Sequence, residues 1–310
     1  MAARVTMVIE SVIESEYVHS VDARLDSQDA YIEYQVHEGR RAVPFLSGFF
    51  NIKDAPVLEI GTGRGGKSIA YACAGMKVTA LDVDLESLAW GKQASEARGA
   101  PVQFLGGDGA RLPFPANSFV AVLLDSVIEH VRDPLAVLLE CERVLKPGGI
   151  VFVVFPPFYG PLSGHIDDYV MIPWYHLLPP GIVRRYLLSR AQPIGILTPE
   201  GAYDVYASLN GLTIYQFKRL AHRAGLAVEY FRVRPFLTHP GTRFAVGLAS
   251  AVAHGPRLAK LRAVLDQARR EFDLRTALLF VLLSAIAPLT WIPFLQEISA
   301  GGCKCVLRKR

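Results

Sequence analysis

Between residues 56 and 157, short runs of branched apolar residues alternate with longer stretches whose apolar positions recur at helical spacing. PVLEI (56–60), KVTALDVD (77–84), PVQFLGGDG (101–109), SFVAVLLD (118–125) and IVFVVFPP (150–157) read as strands. GGKSIAYACAG, LESLAWGKQASEARG and DPLAVLLECERVL read as helices, the last begun by Asp133 as N-cap with Pro134 at the first helical position. Strands joined through helices are crossover-connected and therefore parallel. The pattern demands a doubly wound, mostly parallel α/β sheet, with its ligand beyond the C-terminal strand ends.

The rhythm breaks after Pro156 and returns later, with a helix in TIYQFKRLAHRAG, a strand in LAVEYFRV and a last strand in KCVLRK, which brings the sheet to seven strands. The expected organisation of the 310 residues is a helical N-terminal cap over 1–50, a core over 51–155 and a lid or insertion over 156–210. A core helix and strand follow over 211–233, then a helical insertion over 234–298 and the final strand over 299–310. A net charge of +4 is small for this length and gives no reason to expect a nucleic-acid partner. The four cysteines fit neither a disulfide framework nor a zinc spacing and read as reduced thiols. The first residues lack a secretory signal, so a cytoplasmic protein is expected. Residues 276–296 carry no formal charge, but Pro288 and Pro293 interrupt them, which fits a buried or cap helix better than a span and leaves peripheral membrane contact as an alternative. Oligomeric state is not legible.

The stretch VLEIGTGRGG (57–66) places four glycines at the first strand-to-helix turn. Such a turn frees the backbone for positive φ and lets a ligand approach it closely. Two ligand patterns fit the same letters. Gly61, Gly63 and Gly66 satisfy the dinucleotide pattern, while GTGRGGKS, with Lys67 and Ser68, satisfies the phosphate-loop pattern. Asp82, ending the second strand, discriminates: a carboxylate there can accept ribose hydroxyls, and a phosphate loop has no use for it. Asp108 in GGDGARLPF is placed to reach an adenine amino group.

The order EIGTGRGG, ALDVD, GDGARLPFPANSF, VIEHVRDP and RVLKPGGIVFVVFPP resembles the class I S-adenosylmethionine-dependent methyltransferases, with their Rossmann-like fold, over about residues 55–156. The departure is Val120, where that family usually has an acid. The resemblance implies S-adenosylmethionine as cofactor, held by Glu59, Gly61, Thr62, Gly63 and Gly65 on the methionine side, Asp82 and Val83 at the ribose, and Asp108, Gly109 and Ala110 at the adenine. Asp125 would face the methionine amino group or the substrate.

Methyl transfer to a hydroxyl calls for alignment and a base, most simply histidine near neutral pH. His165 is the first candidate, followed by His176 and His130. Tyr159, Asp167, Asp168, Tyr169, Trp174 and Tyr175 crowd the same insertion and are the candidate substrate residues. His165, Asp167 and Asp168 could form an Mg²⁺ site, but adjacent loop acids are more often solvated or capping, and no metal is expected. The expected activity is methylation of a hydroxyl on a sugar or on a glycosylated or polyketide small molecule. A membrane-associated methyltransferase of a lipid-linked or quinone substrate is the rival enzyme, and a non-catalytic nucleotide-binding module the rival of another class. An NAD-dependent oxidoreductase and a phosphate-loop NTPase leave more of the motifs unexplained.

Overall fold

The computed structural model describes residues 25–161, 163–166, 169–170, 172–235, 281–282, 285–286, 289, 291–293 and 295–310. Helix α1 (Gln28–Leu46), N-capped by Ser27, precedes β1 (Pro56–Ile60), α2 (Gly66–Cys73), β2 (Lys77–Asp82), α3 (Leu85–Ala97), β3 (Val102–Gly106) and β4 (Phe119–Asp125). Then come α4 (Pro134–Val144), β5 (Leu145–Phe155), a short 3₁₀ turn (Tyr175–Leu177), α5 (Pro180–Arg190), α6 (Pro199–Ala207), α7 (Ile214–Arg223), β6 (Leu226–Pro235) and β7 (Ala300–Lys309). The sheet has seven strands in the order β3-β2-β1-β4-β5-β7-β6, and β7 runs antiparallel to both its neighbours. The fold is the mostly parallel, doubly wound α/β sheet that the alternation demands.

Strand periodicity sorts the core into two layers. Leu58 and Ile60 point to one face with Leu124, Val151, Val153 and Val137. Val57 points to the other, with Leu123, Phe152, Ile69 and the α1 residues Ile32 and Val36. Asp84 caps α3, Asp133 caps α4, and Thr213 with Gln216 forms a capping box at α7, so these three helices start at fixed residues. The order reverses between β1 and β4, and the glycine turn leaves β1 beside that switch point.

Two expectations change. β5 begins at Leu145, earlier than Ile150: Phe119 pairs with Leu145 and Ala121 with Ile150, so KPGG loops out as a bulge within the strand. The 156–210 insertion is not irregular throughout. Its helices α5 and α6 close a small core of their own from Ile166, Val170, Tyr175, Val183, Leu187, Ala202 and Tyr206. Of residues 276–296, most lie outside the described residues, and among the described residues no helix is long and apolar enough to cross a membrane.

The cap helix α1 reaches the turn through Gly66. A Cβ there would stand 2.6 Å from the Ile32 carbonyl oxygen and 2.5 Å from Gln35 Cβ. Gly66→Ala should therefore lose about 1–3 kcal/mol of stability in urea unfolding with an unchanged m-value. Wild-type stability would mean that α1 does not pack this closely.

Candidate active site

β1 delivers Glu59 to the end of the sheet with only 3% of its surface exposed. Thr62 Oγ1 donates to its Oε2 at 3.1 Å, and the Ser68 hydroxyl of α2 donates to the same oxygen. Burial pushes the carboxyl up to about 7, against the pull of Ser68 and of the Lys67 ammonium. Lys67 Nζ in turn pairs with Asp125 Oδ2 at 2.8 Å, at the end of β4. Burial pulls that ammonium down, but the Asp125 carboxylate more than offsets it and holds it above its ordinary range. Asp125 is thus engaged by Lys67, a partner the sequence reading treated only as part of a phosphate-loop pattern.

The glycines of the turn differ in what they face. Gly61 has φ +69° and a Cβ there would run into the Val127 isopropyl group; one at Gly65 would stand 2.6 Å from the Phe104 ring. Gly63, at φ +53°, has open space where its Cβ would be. Its N–H donates to Asp82 Oδ2 at 2.6 Å, and Asp82 Oδ1 accepts from Asp84 N–H at 3.0 Å. Next to Asp82, Val83 is 74% exposed, unusual for an apolar side chain beside a strand end and suited to cover one face of a flat ring. Asp108 is exposed and accepts from Ala110 N–H at 2.9 Å, while Gly109 is buried against Ile60 and Val137. The structure therefore brings Glu59, Thr62, Gly63, Asp82 and Asp108 to the C-terminal ends of β1, β2 and β3.

A second polar group lies past β4. Glu129 is 2% exposed, and both its carboxylate oxygens lack a hydrogen-bond partner. His165 Nε2, carried by a residue at φ +60°, is 3.4 Å from Glu129 Oε1, and His130 Nε2 is 4.0 Å from the same oxygen. The two imidazoles meet edge to face with centroids 4.8 Å apart. Burial, and then His165, push the His130 imidazole down to about 4, so it is neutral near pH 7. Burial also raises the Glu129 carboxyl against the pull of His165.

A methyltransferase domain family model matches residues 58–153. A demethylmenaquinone methyltransferase of Renibacterium salmoninarum is 38% identical over 117 residues, 37% of this chain and 48% of its own. One of Thermus thermophilus is 36% identical over 123 residues, 38% of this chain and 54% of its own. The chain thus spans about half the length of the curated relatives it matches. A candidate sarcosine dimethylglycine methyltransferase structure from Galdieria sulphuraria shares the fold at 16% identity and a TM-score of 0.50, covering 98% of this chain and 97% of that one.

Residues 58–153 match the methyltransferase domain family and lie in a Rossmann-like methyltransferase fold.

The methyltransferase domain sits against an insertion whose aromatics divide into two kinds. Tyr159 and Trp174 line an open, mostly apolar groove of about 950 Å³ with Leu177, Ile214 and Tyr215. Trp174 Nε1 donates to the Tyr159 carbonyl at 3.1 Å, which fixes their relation. Tyr175 and Tyr169 must be reassigned from substrate contact to packing. Tyr175 is 1% exposed, its hydroxyl accepts from Ile166 N–H at 2.8 Å, and it belongs to the small α5–α6 core; Tyr169 packs on that core and donates to the Leu197 carbonyl at 2.7 Å. His176 is corrected likewise. It is buried, and its Nε2 lies 2.6 Å from the Phe158 carbonyl, so that nitrogen carries a proton and holds the loop leaving β5. Asp167 and Asp168 lie outside the described residues.

Sequence reasoning missed Lys67, Ser68 and Glu129. The first two stood in GGKS, and Glu129 stood beside His130 in IEHV, but nothing local said that Glu129 would be buried or that the Lys67 ammonium would meet Asp125.

Glu59 binds its proton more tightly when folded (about 7) than when unfolded (4.5), so the stability it contributes is full below pH 4.5 and is lost as pH rises through about 7. Glu59→Gln keeps the shape and removes the titration. The wild-type minus variant difference in unfolding free energy should fall by on the order of 3 kcal/mol across that window. A difference that stays flat with pH would mean that the folded protein holds Glu59 ionised throughout.

Proposed function

We propose that the chain transfers the methyl group of S-adenosylmethionine to a hydroxyl of a small molecule with an apolar, ring-containing body, the polyketide side of the range that the sequence suggests rather than a bare sugar. The observation that carries the cofactor half is Gly63: its Cβ direction is open, and the Asp82 and Glu59 carboxylates flank its turn. Asp82 would take the ribose hydroxyls, exchanging its bond from Gly63 or Asp84, and Val83 and Asp108 would take the adenine. Glu59 and the turn backbone would hold the methionine end. When bound, the cofactor supplies an electrophilic methyl carbon on a sulfonium.

In the transfer, the acceptor oxygen forms a bond to that carbon as the carbon–sulfur bond breaks, and the hydroxyl proton leaves. Glu129, His130 and His165 form the polar end toward which that proton can go, since Val127, two residues before Glu129, packs directly on Gly61. The aromatic groove past β5 supports an apolar acceptor body. A quinol acceptor is the second reading. Its support is the two demethylmenaquinone methyltransferases, which match only over the cofactor-binding part of this chain.

Calorimetric titration with S-adenosylmethionine, S-adenosylhomocysteine, NAD and Mg-ATP is the test. The first two should bind and the others should not. Asp82→Ala should weaken cofactor binding by about 1–3 kcal/mol, because charge-assisted ribose bonds are lost. Unchanged affinity in the variant would remove the ribose assignment, and failure of the wild type to bind either methyl cofactor would remove the reading as a whole. Methyl transfer to a phenolic polyketide but not to a quinol or a sugar would settle the acceptor in favour of the first reading.

A further inference from the structure

The Glu129 carboxylate is buried with no hydrogen bond of good geometry on either oxygen, and two imidazoles approach it. Ser208 Oγ donates its single proton to the Val205 carbonyl at 2.7 Å. It also lies 2.7 Å from His130 Nδ1; with its proton on the carbonyl it accepts there, and Nδ1 then carries the imidazole proton. His130 Nε2 is then a bare lone pair pointing at a bare carboxylate 4.0 Å away. His165 Nε2, also without a hydrogen-bond partner, stands 3.4 Å from the same oxygen. The three ligand atoms all lie within 4.8 Å of one another. Two acceptors converging in a buried place repel unless a cation, either a protonated His165 or a bound metal ion, lies beside them.

We propose that Glu129, His130 and His165 form a binding site for a divalent first-row transition ion of the zinc type. Two imidazole nitrogens and one carboxylate oxygen suit such an ion, whereas Mg²⁺ and Ca²⁺ prefer oxygen donors throughout. With bonds of about 2.1 Å, ligand atoms of a tetrahedral centre stand about 3.4 Å apart, which is the Glu129–His165 separation; His130 needs only a small closing motion. Three protein ligands leave a position open, the arrangement of a catalytic rather than a structural ion. Ser208 is the outer partner that fixes the tautomer and orientation of His130. The site departs from the expectation of no metal because Glu129 and His165 are far apart in sequence and neither Asp167 nor Asp168 is needed.

The ion site stands on its own geometry. Its use rests on the methyl-transfer reading: an acceptor hydroxyl at the open position would lose its proton more easily, and the cluster would activate the acceptor through the ion rather than through a free imidazole base.

The test is titration of chelator-treated, dialysed protein with Zn²⁺ by calorimetry and with Co²⁺ by visible absorption, in parallel with S-adenosylmethionine on the same samples. One ion per chain should bind, with the ligand-field bands of nitrogen- and oxygen-bound Co²⁺. Glu129→Gln and His165→Gln should each weaken it at least about tenfold, and Ser208→Ala by a similar factor, with cofactor affinity kept. Should Glu129→Gln fail to fold, His165→Gln decides, since His165 is partly exposed. Absence of stoichiometric ion binding, or binding that survives both ligand substitutions, would overturn the site. Ion binding without cofactor binding would leave the site standing and remove the methyl-transfer reading; the reverse would do the opposite.

Discussion

The Glu59 carboxylate is where the strand, the turn and the crossover helix are tied together. A carboxyl at that depth loses hydration worth several kcal/mol, so it stays only where other groups replace the water. Thr62 from the turn and Ser68 from α2 do so directly, and Lys67 does so as a nearby cation while gripping Asp125 at the end of β4. One acid therefore couples the ends of β1 and β4 across the switch point, and the turn between β1 and α2 has no freedom left to wander. The same arrangement gives the site its electrostatics: the Lys67 ammonium pairs with the Asp125 carboxylate and lies near a Glu59 carboxyl raised to about 7, beside a turn whose outer face is bare.

The glycine turn looked ambiguous in sequence because its residues answer to different neighbours. Gly61 and Gly65 leave room for Val127 and Phe104, Gly66 for α1, and only Gly63 of the four turns a free backbone edge outward. Three of the four glycines are thus needed for packing a strand against its helices, which phosphate-binding and dinucleotide-binding turns need equally. The letters alone could not separate those uses. The acid at Asp82 could, because it accepts from the Gly63 amide and so shares its outward-facing edge.

Most of the sheet was legible because strands of a buried parallel sheet are nearly continuous apolar runs, and the helices between them carry strong caps such as Asp133–Pro134 and Thr213. The onset of β5 was hidden by KPGG, whose proline and glycines read as a stop although they bulge out of a continuing pair. Helix α5 was hidden because, among its described side chains, it buries only Val183 and Leu187, a stripe too narrow to show as periodicity, although Pro180 at its first turn was a usable start signal. The cofactor side of the site was readable since its residues follow strand ends within a few positions. The Glu129–His165 approach was not, because it depends on where the insertion folds back. Aromatic density in that insertion likewise gave no hint that Tyr175 faces inward while Trp174 lines a groove.

The position of β7 has a consequence for the order in which the molecule can come together. Among the described strands β6 touches the sheet only through β7, which is threaded between it and β5, pairing Ile150 with Arg308 and Leu226 with Lys309. During synthesis the first five strands can therefore close on their own, whereas β6 emerges with no edge to join. It has to wait, held near the surface by α7 packed on Leu212 and Leu226, until residues 300–309 arrive to fill the gap. The last strand of the sheet is its keystone. Until it pairs, β5 is the edge of the sheet.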